Sequence, residues 1–168
     1  MRKSDKALLP RPPLVQCIES RALAFQGWPA NTFVERLWTQ RYNVSGHYAA
    51  HYDWSAAGRD ARRASSFMVY LRGEGEGCEG GGTEFPMLEG KTEGGWCAFV
   101  DCGRGREEGV AFRPRKGAAV FWLNFDEEGR GVKETVHAGL PVTKGVKVGL
   151  NIWSWWQRGL EVADLREL

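Results

Sequence analysis

Residues 146–156 read VKVGLNIWSWW, and the alternation within this stretch decides the fold class. In a β-strand, successive side chains point to opposite faces. One face would be aliphatic, with Val146, Val148, Leu150 and Ile152. The other would carry the cation of Lys147, the amide of Asn151 and the indoles of Trp153 and Trp155, with Gly149 leaving a position without a side chain. The first face is typical of a hydrophobic core, whereas the second suits the wall of a ligand cavity.

Four more segments are rich in β-branched and aromatic residues and are bounded by residues that favour turns. They are LWTQRYNV at 37–44, SSFMVYL at 65–71, GAAVFWL at 117–123 and ETVHAGL at 134–140. Residues 12–27 predict one helix, and a short helical or extended piece follows Asn31. Glycine-rich stretches at 72–85 and 89–109 predict long loops. This order predicts a mainly β fold with flanking helices and a jelly-roll core, the double-stranded β-helix.

Composition limits the chain to one domain and excludes some partners. With 168 residues, 42% of them hydrophobic, one sizeable core is possible, so residues 1–168 predict a single domain. The net charge of +2 predicts neither a nucleic-acid partner nor an anionic membrane surface. No apolar run approaches the roughly 20 residues that span a bilayer. The oligomeric state stays open.

The cysteines give no clear chemical assignment. All four, at Cys17, Cys78, Cys97 and Cys102, fit no zinc-binding pattern and are too sparse for a disulfide scaffold. Cys97 and Cys102 are close enough in sequence to pair across one loop, but the redox compartment is left undecided.

The triplet His51-Tyr52-Asp53 has the spacing that places two metal ligands on one side of a strand. His137 is the chain's only histidine besides His47 and His51, and we expect it to supply a third ligand. Two histidines and one carboxylate on one face of a metal leave other positions free for reactants, as non-haem iron(II) oxygenases require.

A competing metal site is suggested by HYAAH at 47–51, because two histidines four residues apart on a helix can bind zinc. The zinc protease pattern needs a glutamate directly after the first histidine, where this chain has Tyr48. Gly46 and the strand-like surroundings also argue against a helix. We therefore expect His47 to be a loop residue without a metal.

Four motif blocks follow one another along the chain. They are RYNVSGHYAAHYD at 41–53, GGGTEFP at 80–86, RPRKGAAVFW at 113–122 and HAGLPVTKGVKVGLNIW at 137–153. In this order they resemble RYxxGxxYxxHxD, GGETxFP, KKGxALxFW and HxGCPVxxGxKWxxxxW, which are motifs of the prolyl 4-hydroxylase family of iron(II)/2-oxoglutarate-dependent dioxygenases. The resemblance covers about Arg2 to Trp155.

The resemblance implies an enzyme that uses iron(II), 2-oxoglutarate and O2, with L-ascorbate to rescue oxidised iron. It assigns the metal to His51, Asp53 and His137, and it assigns cosubstrate binding to Lys147, Tyr42 and Thr83. The role of Lys147 also has a physical reason. A dicarboxylate that chelates a metal at one end leaves a second carboxylate inside the protein, and a buried charge must be paired.

The resemblance further implies that the substrate is peptidyl proline, as for procollagen-proline 4-dioxygenases. The family's peptide groove corresponds to Tyr48, Arg63, Trp153 and Trp155. Alternative functions are hydroxylation of a small metabolite, a free amino acid or a lysyl side chain, and a jelly-roll binding module without catalysis. The endoplasmic reticulum or the secretory pathway is the expected compartment.

The chain also departs from the family pattern. Leu140 stands in place of the cysteine in HxGCPV, Gly82 replaces the glutamate of GGET, and Val148 replaces the tryptophan after the lysine. The disulfide that some relatives form from the HxGCPV position is therefore impossible. Relatives carry more sequence upstream, so we expect N-terminal sequence to be missing here.

Overall fold

A computed structural model describes residues 1–54, 60–90 and 93–159 of the chain. The end of the predicted single domain, 160–168, lies outside the described residues. The elements are β1 Arg2–Lys3, β2 Asp5–Leu8, α1 Pro13–Phe25, β3 Thr32–Val34, β4 Trp38–Tyr42, β5 His47–His51, β6 Ala61–Arg72, β7 Glu79–Gly80, β8 Thr83–Phe85, β9 Val110–Phe112, β10 Ala119–Leu123, β11 His137–Gly139, β12 Val142–Lys144 and β13 Lys147–Gln157. Short 3-10 helices span Gly94–Ala98, Arg106–Glu108 and Lys133–Thr135. None of the helices within these ranges has the length and apolar character needed to cross a membrane.

The strands form two main antiparallel sheets. A six-stranded sheet has the order β10-β6-β13-β4-β2, with β3 pairing the end of β13, and a five-stranded sheet has the order β1-β5-β11-β8-β9. A further pair is formed by β7 and β12. Side chains from both main sheets line one shared pocket, so the sheets face each other across it. The predicted mainly β architecture is confirmed.

Strand β13 shows the alternation that its sequence predicts. Leu150 and Ile152 are buried in the core, while Lys147 and Asn151 line the pocket. The pairing register with β6 shifts between Ser154 and Trp155, where Ala64 of β6 is the extra residue. Trp153 and Trp155, both predicted to lie on the cavity face, are not among the residues that line the pocket.

Helix α1 covers the outer face of the six-stranded sheet. Its Val15 and Ala22 pack in one core cluster with Leu37, Phe67 and Ile152. Each of these side chains other than Ala22 contributes about 1.5–3 kcal/mol by leaving water. Pro13 suits the first turn of the helix, and Gly27 follows its end with φ of 75°. The segment after Asn31 forms strand β3, so the extended alternative is confirmed.

The two predicted loops contain more structure than their glycine content indicates. The stretch 72–85 contributes the end of β6 and the short strands β7 and β8. Within the described part of 89–109, Cys97 and Cys102 form a disulfide with a Cα–Cα distance of 5.4 Å. Of the other cysteines, Cys17 is exposed and Cys78 is buried.

Candidate metal centre and cosubstrate pocket

Three potential metal ligands meet at the pocket between the sheets. His51 ends β5, Asp53 follows two residues later, and His137 begins β11, where it pairs with His51 across the strands. One nitrogen from each histidine and one oxygen of Asp53 lie within 4.8 Å of one another. The antiparallel register of β5 and β11 thus brings together the three residues that the sequence predicts as ligands.

Backbone carbonyls orient both histidine rings. Nδ1 of His51 lies 2.9 Å from the Ala49 oxygen, and Nδ1 of His137 lies 2.9 Å from the Thr135 oxygen. Because a carbonyl oxygen only accepts, each Nδ1 carries the proton and each Nε2 keeps a free lone pair. Burial, and then the neighbouring His137, lower the pKa of His51, which favours the neutral ring that a metal needs. This donor set fits a divalent ion such as iron(II).

The Asp53 carboxylate is held by the six-stranded sheet. Its Oδ2 accepts hydrogen bonds from the Ser66 hydroxyl at 2.7 Å and from the Trp153 indole N–H at 2.9 Å. Nε2 of His51 lies 3.8 Å from Oδ1, and Nε2 of His137 lies 3.9 Å from Oδ2. The side chain of Asp53 is only 7% exposed, so these contacts fix it in a buried position.

Lys147 presents a buried cation to the same pocket. Its residue surface is 2% exposed, and Nζ donates one hydrogen bond, to the Gly81 carbonyl oxygen at 2.6 Å. The rings of Tyr42 and Tyr70 lie 5.2 and 5.4 Å from Nζ. Burial lowers the pKa of Lys147 to about 8. No carboxylate pairs with this ammonium among the described residues, so the pocket is built for an anion.

Hydroxyl groups surround the lysine, as the sequence predicts for Tyr42 and Thr83. Both residues are buried and line the pocket. The Tyr42 hydroxyl donates to Oε1 of Gln40 at 2.5 Å. The Tyr70 hydroxyl lies 2.8 Å from Oγ1 of Thr83. Tyr70 is the donor in this pair, so the Thr83 proton is free to point towards a ligand.

The four residues predicted for the substrate groove are placed differently from one another. Tyr48 lines the pocket and stacks on His51, with ring centroids 3.7 Å apart. Arg63, Trp153 and Trp155 are not among the pocket-lining residues. Arg63 forms a two-pronged ion pair with Glu35 at 2.7 and 2.9 Å and lies 4.0 Å from the centroid of the Trp153 ring.

The HYAAH segment is a strand, so the helical zinc alternative is wrong. Residues four apart on a strand are separated by roughly 13 Å, too far to share one ion. His47 is the first residue of β5, so its predicted loop position is also wrong, and its Nδ1 lies 3.0 Å from the Ser45 oxygen.

Several residues of the site were missed at the level of sequence. Ser66, Asn124 and Gln40 are buried polar residues that contact the predicted site residues or one another. Alternation along β6 places Ser66 and Met68 on one face, but only the structure shows that this face lines the pocket.

Two histidines and an aspartate that converge in the pocket of an antiparallel jelly roll, with a buried lysine on the facing sheet, are the donor set of an oxygenase of the iron(II)/2-oxoglutarate type. The sequence model of the 2OG-Fe(II) oxygenase superfamily matches residues 37–155. The chain belongs to this superfamily of iron(II)- and 2-oxoglutarate-dependent oxygenases, an enzyme class that also uses O2.

The resemblance to prolyl 4-hydroxylases is also confirmed. The chain is 30% identical to prolyl 4-hydroxylase subunit alpha-2 of Gallus gallus over 89% of its own length and 24% of the relative's. It is 30% identical to subunit alpha-1 of Homo sapiens over 84% of its length and 23% of the relative's. The chain thus spans about a quarter of the length of these curated relatives.

Solved structures extend this likeness to the fold. The viral collagen prolyl hydroxylase of Paramecium Bursaria Chlorella virus-1, solved as a 2OG complex, matches with a TM-score of 0.71 and 26% identity over 93% of this chain and 81% of its own. A Pseudomonas putida prolyl-4-hydroxylase matches with a TM-score of 0.57 and 18% identity over 95% of this chain and 74% of its own, which supports the fold alone.

Proposed function

We propose that this chain hydroxylates proline residues in extended, proline-rich peptides while it converts 2-oxoglutarate to succinate. The observation that carries the proposal is the pocket, which joins the His51, Asp53 and His137 group to the buried ammonium of Lys147. The choice of substrate is supported by the relatives, because matches with 26–30% identity over most of this chain are prolyl hydroxylases.

In the proposed reaction, one atom of O2 enters succinate and the other becomes the prolyl hydroxyl group, with CO2 as the third product. Iron(II) supplies this oxidative chemistry when bound. His51 and His137 hold it through Nε2, and Asp53 holds it through its carboxylate. Both histidines are already in the required tautomer, because each Nδ1 donates to a backbone carbonyl. L-ascorbate keeps the metal reduced between uncoupled turnovers.

Lys147 anchors the far carboxylate of 2-oxoglutarate in this proposal. Its only hydrogen-bond acceptor among the described residues is the neutral Gly81 carbonyl, so an incoming carboxylate gains a full ion pair in a buried setting. Thr83 donates its hydroxyl proton to the same carboxylate. Tyr42 does so after it gives up its present bond to Gln40.

The peptide enters past Tyr48, whose ring stacks on His51 at the pocket wall. Arg63, Trp153 and Trp155 remain the predicted contacts for the flanking peptide. In this structure Arg63 is engaged with Glu35 and with the Asp53 carbonyl, so a contact with a peptide carbonyl requires an exchange of partners. We assign the protein to the endoplasmic reticulum or the secretory pathway on the resemblance alone.

The test is turnover of a panel of proline-rich peptides with iron(II), 2-oxoglutarate, ascorbate and O2, followed by mass spectrometry and a succinate assay. We expect a gain of one oxygen atom on proline, matched by succinate. At saturating iron(II), Trp153→Ala and Arg63→Ala should lose most peptide hydroxylation, whereas substrate-free decarboxylation of 2-oxoglutarate should be retained to a larger extent. Hydroxylation of free proline or of a lysyl side chain, with no activity on any prolyl peptide, would overturn the proposal.

A further inference from the structure

Asp53 offers two carboxylate oxygens to a metal, and distance alone does not choose between them. The nearest histidine nitrogen lies 3.8 Å from Oδ1 and 3.9 Å from Oδ2. The hydrogen bonds, however, are distributed unequally. Oδ2 accepts two, from Ser66 and from Trp153, whereas Oδ1 accepts none from the residues that the structure describes.

A series of buried hydrogen bonds makes the Ser66 hydroxyl the donor to Asp53. The Trp122 indole N–H only donates, and it lies 3.1 Å from Oδ1 of Asn124, so the Asn124 amide must point its nitrogen the other way. That nitrogen donates to the Ser66 hydroxyl oxygen at 3.2 Å. Ser66 therefore receives one bond and has its single proton left for Asp53. Both Ser66 and Asn124 are 0% exposed, so water does not compete for these groups.

Trp153 is held equally firmly on the other side. Its ring is covered by the Arg63 guanidinium at 4.0 Å, and Arg63 is itself fixed by Glu35 and by the Asp53 carbonyl oxygen at 3.2 Å. The indole N–H can only donate, and Oδ2 of Asp53 is its acceptor at 2.9 Å. With two donors in place, both in-plane lone pairs of Oδ2 are occupied.

We infer that Ser66 and Trp153 are positioning residues that restrict Asp53 to one metal-binding oxygen, Oδ1, and that Asn124 sets the direction of the Ser66 bond. A carboxylate with one free oxygen occupies one coordination position rather than two. The coordination position that a second Asp53 oxygen would have filled stays open to the reactants that this enzyme class must bind beside its protein ligands. The inference rests on the proposed metal role of Asp53, and it goes beyond that role by naming the residues that control its binding mode.

The chain provides a matched control in the neighbouring serine. Ser65 is also 0% exposed on β6, but it points to the opposite face and donates to Oε1 of Gln26 at 2.5 Å. Ser65→Ala removes one hydrogen bond from β6, and Ser66→Ala removes two, one to Asp53 and one from Asn124. A purely structural role predicts a loss of stability in both variants and no difference in metal binding.

The experiment is anaerobic titration of the purified chain with cobalt(II), a spectroscopic substitute for iron(II), without substrate. We expect Ser66→Ala and Trp153→Phe each to lower cobalt(II) affinity about 10-fold or more, because the Asp53 carboxylate loses a hydrogen bond that orients it. The ligand-field spectrum should also change, because Oδ2 becomes available as a second ligand atom. Ser66→Thr, which keeps the hydroxyl, should restore both, and Ser65→Ala should match the wild type. If Ser66→Ala fails to fold, Trp153→Phe decides.

Two outcomes would overturn the inference, and they are distinguishable. If Ser66→Ala and Trp153→Phe match Ser65→Ala in affinity and spectrum while His137→Ala loses cobalt(II), the metal site stands and the positioning role fails. If His137→Ala also binds cobalt(II) normally, the proposed metal site itself fails, and the positioning role fails with it.

Discussion

Nζ of Lys147 lies 2.6 Å from the carbonyl oxygen of Gly81, and this neutral oxygen is its one hydrogen-bond acceptor among the described residues. A buried ammonium without an anionic partner destabilises the folded chain, because it has left water without a compensating charge. The same feature makes the pocket attractive to a dicarboxylate. Stability and cosubstrate binding therefore oppose each other at this residue.

Replacement of Lys147 by methionine should separate these two effects. We expect Lys147→Met to raise the free energy of unfolding of the ligand-free chain by about 1–4 kcal/mol, because an unpaired buried charge is removed. The 2-oxoglutarate concentration for half-maximal activity should rise at least about 100-fold, since the far carboxylate then lacks its partner. Urea denaturation measures the free energy of unfolding, and the rate of succinate formation at different 2-oxoglutarate concentrations measures the cosubstrate requirement. Lys144→Met is the control, because this exposed lysine pairs with Glu79 outside the pocket and should change neither value.

The stability difference between wild type and Lys147→Met should depend on pH. Burial lowers the pKa of Lys147 from 10.5 to about 8 in the folded chain, so between these values the unfolded chain binds the extra proton. The penalty from Lys147, about 3 kcal/mol at most, is thus fully present below pH 8 and fades as the pH rises towards 10.5.

Neighbouring groups make the folded chain less stable as the pH rises, which is opposite to the effect of Lys147. The prediction therefore concerns the difference in unfolding free energy between wild type and Lys147→Met, in which the effects of these groups cancel. Burial raises the pKa of Tyr42, Tyr70 and Cys78, so their unfolded forms lose protons first and alkali weakens the fold through them. Urea denaturation of both proteins at pH 7, 8, 9 and 10 tests the prediction. The advantage of Lys147→Met should shrink along this series, and a constant advantage would show that Lys147 keeps an ordinary pKa.

Tyr70 should support cosubstrate binding without touching the cosubstrate. Its hydroxyl lies 2.8 Å from Oγ1 of Thr83, and by donating there it leaves the Thr83 proton free for the ligand carboxylate. We expect Thr83→Val to weaken 2-oxoglutarate binding about 10-fold and Tyr70→Phe about 3-fold. Metal affinity should stay at the wild-type value in both. Equal effects of the two substitutions would show that Tyr70 contacts the cosubstrate itself.

The parts of the site that sequence predicts are those governed by local alternation. His51 and Asp53 are two residues apart, and Lys147 is separated from Asn151 by an even number of positions, so period two places each pair on one side of a strand. His137 was predicted because the chain has so few histidines. These predictions need only the strand, and the strands form.

The remaining parts depend on tertiary geometry that no local pattern contains. Ser66 meets Asp53 only because β6 and β5 belong to sheets that face each other across the pocket, and a serine in a strand has no signature of such a contact. Trp155 shares its predicted strand face with Lys147, yet neither Trp155 nor Trp153 is among the residues that line the pocket. Arg63 was predicted to face a peptide, but Glu35, far from it in sequence, binds its guanidinium.

The metal assignment should be tested by comparing His47 with His51, two histidines on the same strand. His51 contributes an atom to the group with Asp53 and His137, whereas His47 does not. A metal that binds only the folded chain stabilises it by about 2.7 kcal/mol at 100 times its dissociation constant. Wild type and His47→Ala should show this gain in thermal denaturation with iron(II) under nitrogen, and His51→Ala, Asp53→Ala and His137→Ala should show almost none. All three ligand variants should also lose succinate production, while His47→Ala stays within about twofold of wild type. Equal loss of the metal-dependent gain in His47→Ala and His51→Ala would contradict the assignment. It would mean that both histidines bind the ion, although roughly 13 Å separates such positions on an intact strand and they could not share an ion there.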